Sequence, residues 1–161
     1  MQYDYAVLLR SVLVLAVSVG TAYACDCREP KDKRPFRDHS EVIFRGKIIE
    51  LRDSQKPAGF GPGMVYDLKE MVVFRVSRVW KGDIGQIFEM PALEETSMCI
   101  GFWPDYLKLG ADLLVYANRS ENSEYFTGIC GGHKLAKDGR RDFRMLGPGK
   151  SPRPPNAQDS K

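Results

Sequence analysis

The sequence predicts a small, mainly β domain held by two disulfides, a sandwich or a closed barrel with one late helix. Three observations lead there. Short runs of alternating β-branched and aromatic residues fill the middle of the chain, four cysteines stand beyond an export leader, and the apolar period lengthens only near the end.

The leader comes first. Ser11 to Gly20, SVLVLAVSVG, is an apolar run behind Arg10 and ahead of the small-residue triplet Ala22-Tyr23-Ala24, which is the order of a secretory signal peptide. Residues 1–24 are therefore expected to be removed, and Cys25 becomes the first residue of the mature chain. The run falls short of the roughly 20 apolar residues a membrane-spanning helix needs, and nothing later is longer or more apolar. The expected product is secreted and extracellular, or periplasmic if the source is bacterial. A cysteine directly after the cleavage site is also what lipid attachment requires, but Ala22 and Tyr23 are poor matches to the residues that precede a lipidated cysteine. No membrane association is expected unless Cys25 is lipidated. The net charge is +3, with Lys and Arg interleaved among Asp and Glu. The basic clusters Lys31-Asp32-Lys33-Arg34 and Arg140-Arg141 read as solvated faces, so no nucleic-acid partner is expected.

Cys25, Cys27, Cys99 and Cys130 all follow the leader. An even count in an oxidising compartment reads as two disulfides. Joining Cys25 to Cys27 would close a small strained ring, which leaves these two stapled to Cys99 and Cys130 in either order. A zinc site of four thiolates is the competing reading, and it lacks the paired C-x2-C knuckles of such sites.

Between the cysteines the expected strands are Val42 to Leu51 with a bend at Gly46, Val72 to Trp80, Gln86 to Met90, Met98 to Phe102, Leu113 to Asn118 and Tyr125 to Ile129. Asp53 to Gly63, rich in Gly and Pro, reads as a long hairpin loop. From Lys134 to Leu146 the spacing of Leu135, Phe143 and Leu146 predicts a helix stopped by Gly147-Pro148-Gly149, although Gly139 falls inside it. Residues 148–161 read as a disordered tail.

The pattern yields no catalytic set. His39 and His133 are the only histidines, and no Ser or Cys lies in a nucleophile motif. Gly131-Gly132-His133 reads as a structural turn, and Glu94-Glu95 as solvated carboxylates. Trp80, Phe102 and Trp103 are the aromatic residues that could form a stacking platform in a ligand-binding barrel. Asn118-Arg119-Ser120 is a glycosylation sequon, relevant in a eukaryote.

Five segments occur in a specific order. They are Cys25-Asp26-Cys27 at the expected amino terminus, Ser40 to Ile48 (SEVIFRGKI), Val72 to Gly82 ending in Val79-Trp80-Lys81-Gly82, Cys99-Ile100-Gly101, and Leu107 to Ala117 (LKLGADLLVYA) before Cys130. In these residues the chain resembles the netrin-like modules and, within them, the amino-terminal inhibitory domain of the tissue inhibitors of metalloproteinases. The likeness runs from Cys25 to about Gly147, and the further cysteines of the second domain of the animal inhibitors are missing. It implies a single domain over residues 25–147: a five-stranded closed barrel of the oligonucleotide/oligosaccharide-binding type with a C-terminal flanking helix. It also implies the disulfides Cys25–Cys99 and Cys27–Cys130.

By the same resemblance the protein is a monomeric metalloproteinase inhibitor, not an enzyme and without a cofactor of its own. Its partner is a secreted zinc metalloproteinase. A catalytic zinc keeps an open position, which the α-amine and carbonyl of Cys25 would fill. Asp26 would enter the protease pocket beside the zinc, and Met98, Cys99 and Ile100 would widen the contact alongside Cys27. The sequence departs from the animal inhibitors at Asp26, where they carry Thr or Ser. A carboxylate there opposes an apolar pocket, so a non-inhibitory netrin-like module binding another extracellular protein is the alternative expectation.

Overall fold

A computed structural model of the chain describes Cys25, Cys27 and residues 31–53, 58–61, 64–66, 70–92, 99–120 and 124–154. The expected leader over residues 1–24, Asp26, Met98 and the last residues from 155 onward lie outside the described residues.

The first element is one the sequence pattern does not announce. Helix α1, Arg34–His39, carries Pro35 in its first turn, where a missing N–H costs nothing, and ends at Ser40, whose hydroxyl and backbone N–H both donate to the Phe36 carbonyl. Six residues with one aromatic leave no apolar period to read. The cluster Lys31 to Arg34 is largely solvated as expected, except that Lys33 is buried, with its ammonium 5.8 Å from the centre of the Phe36 ring.

Strands β1 (Val42–Asp53), β2 (Ala58–Gly61), β3 (Met64–Tyr66), β4 (Glu70–Lys81) and β5 (Ile87–Pro91) follow. Then come β6 (Asp112–Arg119), β7 (Tyr125–Phe126), β8 (Lys134–Leu135) and helix α2 (Arg140–Leu146). The main sheet runs β5-β4-β1-β6-β7, all antiparallel, and β8 shares with β7 the outer edge of β6. It forms a five-stranded, nearly closed barrel. Across the seam between β5 and β7, Phe88 and Tyr125 meet edge to face with ring centroids 5.1 Å apart.

Gly46 is the bend the sequence predicts. The register slips between Arg45 and Gly46, and a side chain there would press on the Phe44 ring and Phe74 Cβ, both at 3.2 Å. The bend lets β1 curve between two neighbours, pairing with β4 along its length and with β6 over Val42–Lys47.

Two apolar layers explain the long buried runs of β1 and β6. Val42, Phe44, Ile48, Val72, Phe74, Val76, Val79, Met90, Phe102, Leu113, Val115 and Ala117 fill the barrel. Ile43, Leu114 and Tyr116 point the other way and are roofed by Phe36 of α1 and by Trp80, Phe143 and Leu146. Strands covered on both faces read as continuous apolar stretches, as Leu113 to Ala117 does. The roof is fastened by a buried polar chain: Tyr116 Oη donates to Asp142 Oδ1 at 2.8 Å, and Lys134 Nζ lies 3.2 Å from Asp142 Oδ2. Burial first, and the Asp142 charge second, push the Tyr116 phenol far above its ordinary range.

Four expectations are corrected. The helix expected over Lys134 to Leu146 is divided: Lys134–Leu135 pairs with Leu113 and Leu114 of β6, Ala136–Asp138 is a 3-10 turn, and only Arg140–Leu146 is α-helical. The open edge of β6 captures the first part, and Gly139 separates the rest. Among the described residues 99–102, the strand expected over Met98 to Phe102 reduces to one bridge, Ile100 with Gly128, and that over Tyr125 to Ile129 to Tyr125–Phe126. The tail expected from residue 148 is docked as far as Arg153. Lys150 exchanges two backbone hydrogen bonds with Val79, and Arg153 donates to the Ile84 carbonyl and pairs with Asp83 at 3.1 Å. Within the expected loop Asp53 to Gly63, β1 continues to Asp53 and β2 begins at Ala58.

Candidate functional site

Both disulfides are formed, Cys25–Cys99 with Cα atoms 5.7 Å apart and Cys27–Cys130 at 5.1 Å, separations that relaxed bridges adopt. The pairing is the one the resemblance implies. With all four sulfurs oxidised, no thiolate remains for the zinc site considered above.

The two acceptor loops are themselves joined. Ile129 N–H donates to the Cys99 carbonyl and Gly101 N–H to the Thr127 carbonyl, each at 2.7 Å. The crossing is close at Gly128, where a Cβ would stand 3.2 Å from the Cys99 carbonyl oxygen. Among the described residues Cys99 is the one non-glycine with positive φ, at 54°. That left-handed conformation costs about 1 kcal/mol and is held by the disulfide on one side and the carbonyl hydrogen bond on the other. Cys25, Cys27, Cys99, Ile100 and Cys130 thus form one cross-linked ridge. Within it, Cys25 is 8 % exposed.

His133 is the post under the ridge. Its Nε2 accepts from the Trp103 N–H at 3.4 Å, and its Nδ1 lies 3.3 Å from Thr127 Oγ1, which donates onward to the Tyr116 carbonyl at 2.8 Å. An Nε2 that accepts leaves the proton on Nδ1, facing Thr127 and the Gly128 carbonyl. The ring is packed edge to face on Phe102 and Tyr106, with centroids 4.9 and 5.8 Å away. Burial pushes its pKa down to about 4, against the opposing pull of the Gly128 carbonyl and with help from Lys134. His133 is therefore a neutral structural residue, and His39 is exposed on α1.

The aromatic candidates are distributed differently from a stacking platform. Trp80 is stacked on Phe143 at 5.4 Å and donates its Nε1–H to the Gly147 carbonyl at 2.8 Å, and Phe102 is wholly inside the barrel. Trp103 lines a surface hollow of about 300 Å³, beside Phe36, Tyr106, Asp138 and the Cys27–Cys130 bridge.

Of the residues expected to touch a protease, Cys25, Cys27, Cys99 and Ile100 are gathered on this ridge. Asp26 and Met98 lie outside the described residues. Thr127, Gly128 and His133 were not foreseen as its supports. Their signal in the sequence is faint, a run of small and polar residues around Cys130, and their role appears only once the two loops are paired. Compared with protein-family models and with curated proteins, the chain matches none.

Proposed function

We propose that this protein is a secreted inhibitor of a zinc metalloproteinase, acting through the amino terminus created when the leader is removed before Cys25. The observation that supports this most is the double staple: Cys25 and Cys27 are each bonded to a loop, and the two loops are hydrogen-bonded to each other. A flexible terminus would lose its freedom on binding, whereas a stapled one has already lost it. An α-amine has an ordinary pKa of about 7.7 to 8.0, so near neutral pH a fraction is unprotonated and able to coordinate. The α-amine and carbonyl of Cys25 would chelate the partner's zinc in place of its water. Two disulfides also suit an oxidising, extracellular-type compartment. The protein works as a monomer and supplies no catalytic group or cofactor.

Asp26 selects the partner. An unpaired carboxylate in an apolar pocket costs several kcal/mol, so the protease addressed carries a basic group beside its zinc. Asp26 also favours a second reading, a netrin-like module that binds an extracellular protein without inhibiting it.

The two separate in an inhibition assay against a panel of zinc endopeptidases. Protein beginning at Cys25 is expected to inhibit at least one of them, and one added amino-terminal alanine to weaken inhibition on the order of a hundredfold or more, because the chelating amine is moved. Inhibition that is absent, or indifferent to the added residue, supports the non-inhibitory module.

A further inference from the structure

Strands β1 and β4 bring together four cations that their spacing along the chain conceals. In the antiparallel register Arg45 lies opposite Arg78, and Lys47 opposite Arg75. Like charges directly across a ladder oppose folding. Between the two pairs the register slips by one residue, because Ser77 is an extra residue on β4, its hydroxyl reaching the Arg45 carbonyl at 3.3 Å. A bulge re-aims side chains, and here it leaves Ser77 and Arg78 both exposed between buried Val76 and Val79. The result is an open groove of about 610 Å³, which also touches Trp80 and Phe143 of the roof. The interleaving of charge in the sequence suggested no basic face; the strand register builds one.

Asp112 answers only part of this charge. It holds Arg45 through two oxygens, with Nε at 3.1 Å and Nη2 at 2.6 Å, and Arg45 also lies 5.8 Å from the centre of the Phe143 ring. Among the described residues no carboxylate pairs with Lys47, Arg75 or Arg78.

We propose that this groove binds an acidic polysaccharide carrying sulfate groups. Facing residues on neighbouring strands stand about 5 Å apart and same-face residues along a strand about 7 Å, so the cations are presented at intervals that suit a chain of repeated anions. Guanidinium forks match tetrahedral oxyanions, and the absence of a counter-charge on three of the four cations leaves them available. Two disulfides suit an oxidising, extracellular-type compartment, where such polymers occur. The groove shares no residue with the cysteine ridge, so this proposal stands whether or not the inhibitor reading does.

The test measures binding of a size-defined heparin decasaccharide at about 0.15 M and about 1 M salt. Its comparison ligands are an unsulfated hyaluronan oligosaccharide of equal length and a single-stranded oligonucleotide. The wild-type protein is expected to bind the decasaccharide best and to lose it at high salt. Arg75→Gln/Arg78→Gln is expected to weaken binding at least about tenfold. Lys137→Gln/Arg141→Gln removes the same charge at exposed positions outside the groove and is expected to change it less than about twofold. In wild-type protein the decasaccharide is expected to protect Lys47 from amine acetylation more than Lys108 or Lys137, a readout that needs no variant. No binding at the lower salt, tighter binding of the oligonucleotide, equal losses in the two variants, or an unprotected Lys47 overturns the proposal.

Discussion

Replacing Cys27 and Cys130 together by Ser is expected to lower the unfolding free energy by about 4 to 5 kcal/mol. The bridge spans a sequence separation of 103 residues, the longer of the two. In the chain-entropy description a loop of about 100 residues stabilises by about 4.7 kcal/mol, mainly by restricting the unfolded chain. Domains of this size are stable by only about 5 to 15 kcal/mol, so the variant is brought close to unfolding. Denaturant titration without reductant measures the loss directly. A change below about 1 kcal/mol would show that the hydrogen bonds between the two ridge loops hold them without help from the covalent link.

The second large effect is a loss of stability in acid. His133 titrates at about 4 in the folded protein and near its ordinary 6.5 when unfolded. Above pH 6.5 both states are neutral at this residue and nothing is lost. Between 6.5 and 4 the unfolded state takes up a proton that the folded state refuses, so stability falls as pH falls, by about 3 kcal/mol across that window. Below about 4 this contribution is exhausted. Protonation would also put a hydrogen on Nε2, where the Trp103 N–H donates, and so press apart the loops carrying Cys99 and Cys130. Unfolding free energies at pH 7, 5.5 and 4 give the slope. His133→Gln keeps an acceptor for Trp103 and is expected to flatten it by about one proton. An equal slope in both proteins would assign the acid loss to other groups.

The elements legible in the sequence are those dense in β-branched and aromatic residues. β4 alternates beyond Phe74, while β1 and β6 contain runs buried on both faces. The late helix misled because Leu135, Phe143 and Leu146 look like one stripe but serve two layers. Leu135 packs on the barrel interior, whereas Phe143 and Leu146 roof its outer surface. Helix α1 is too short to show a period. The ridge was half legible: four cysteines indicated two cross-links, but their partners came only from a resemblance, and the hydrogen bonds joining residues 99–101 to 127–129 depend on backbone conformations such as that of Cys99. The basic groove was invisible for a related reason. Arg45 and Arg78 become neighbours only through register, and Arg78 faces outward beside Arg75 only because Ser77 bulges. Pairing across strands creates neighbours that spacing along one strand does not record.

The proposed inhibition depends on Cys25 as a free amino terminus already stapled to the fold. Intact-mass measurement with amino-terminal sequencing of the exported protein tests this most directly. The expected result is a chain that begins Cys25-Asp26-Cys27 with an unmodified α-amine, lighter than its reduced form by the four hydrogens that two disulfides remove. A chain that keeps residues upstream of Cys25, or a lipid or acyl group on its amine, would contradict the account, because no chelating terminus would then exist.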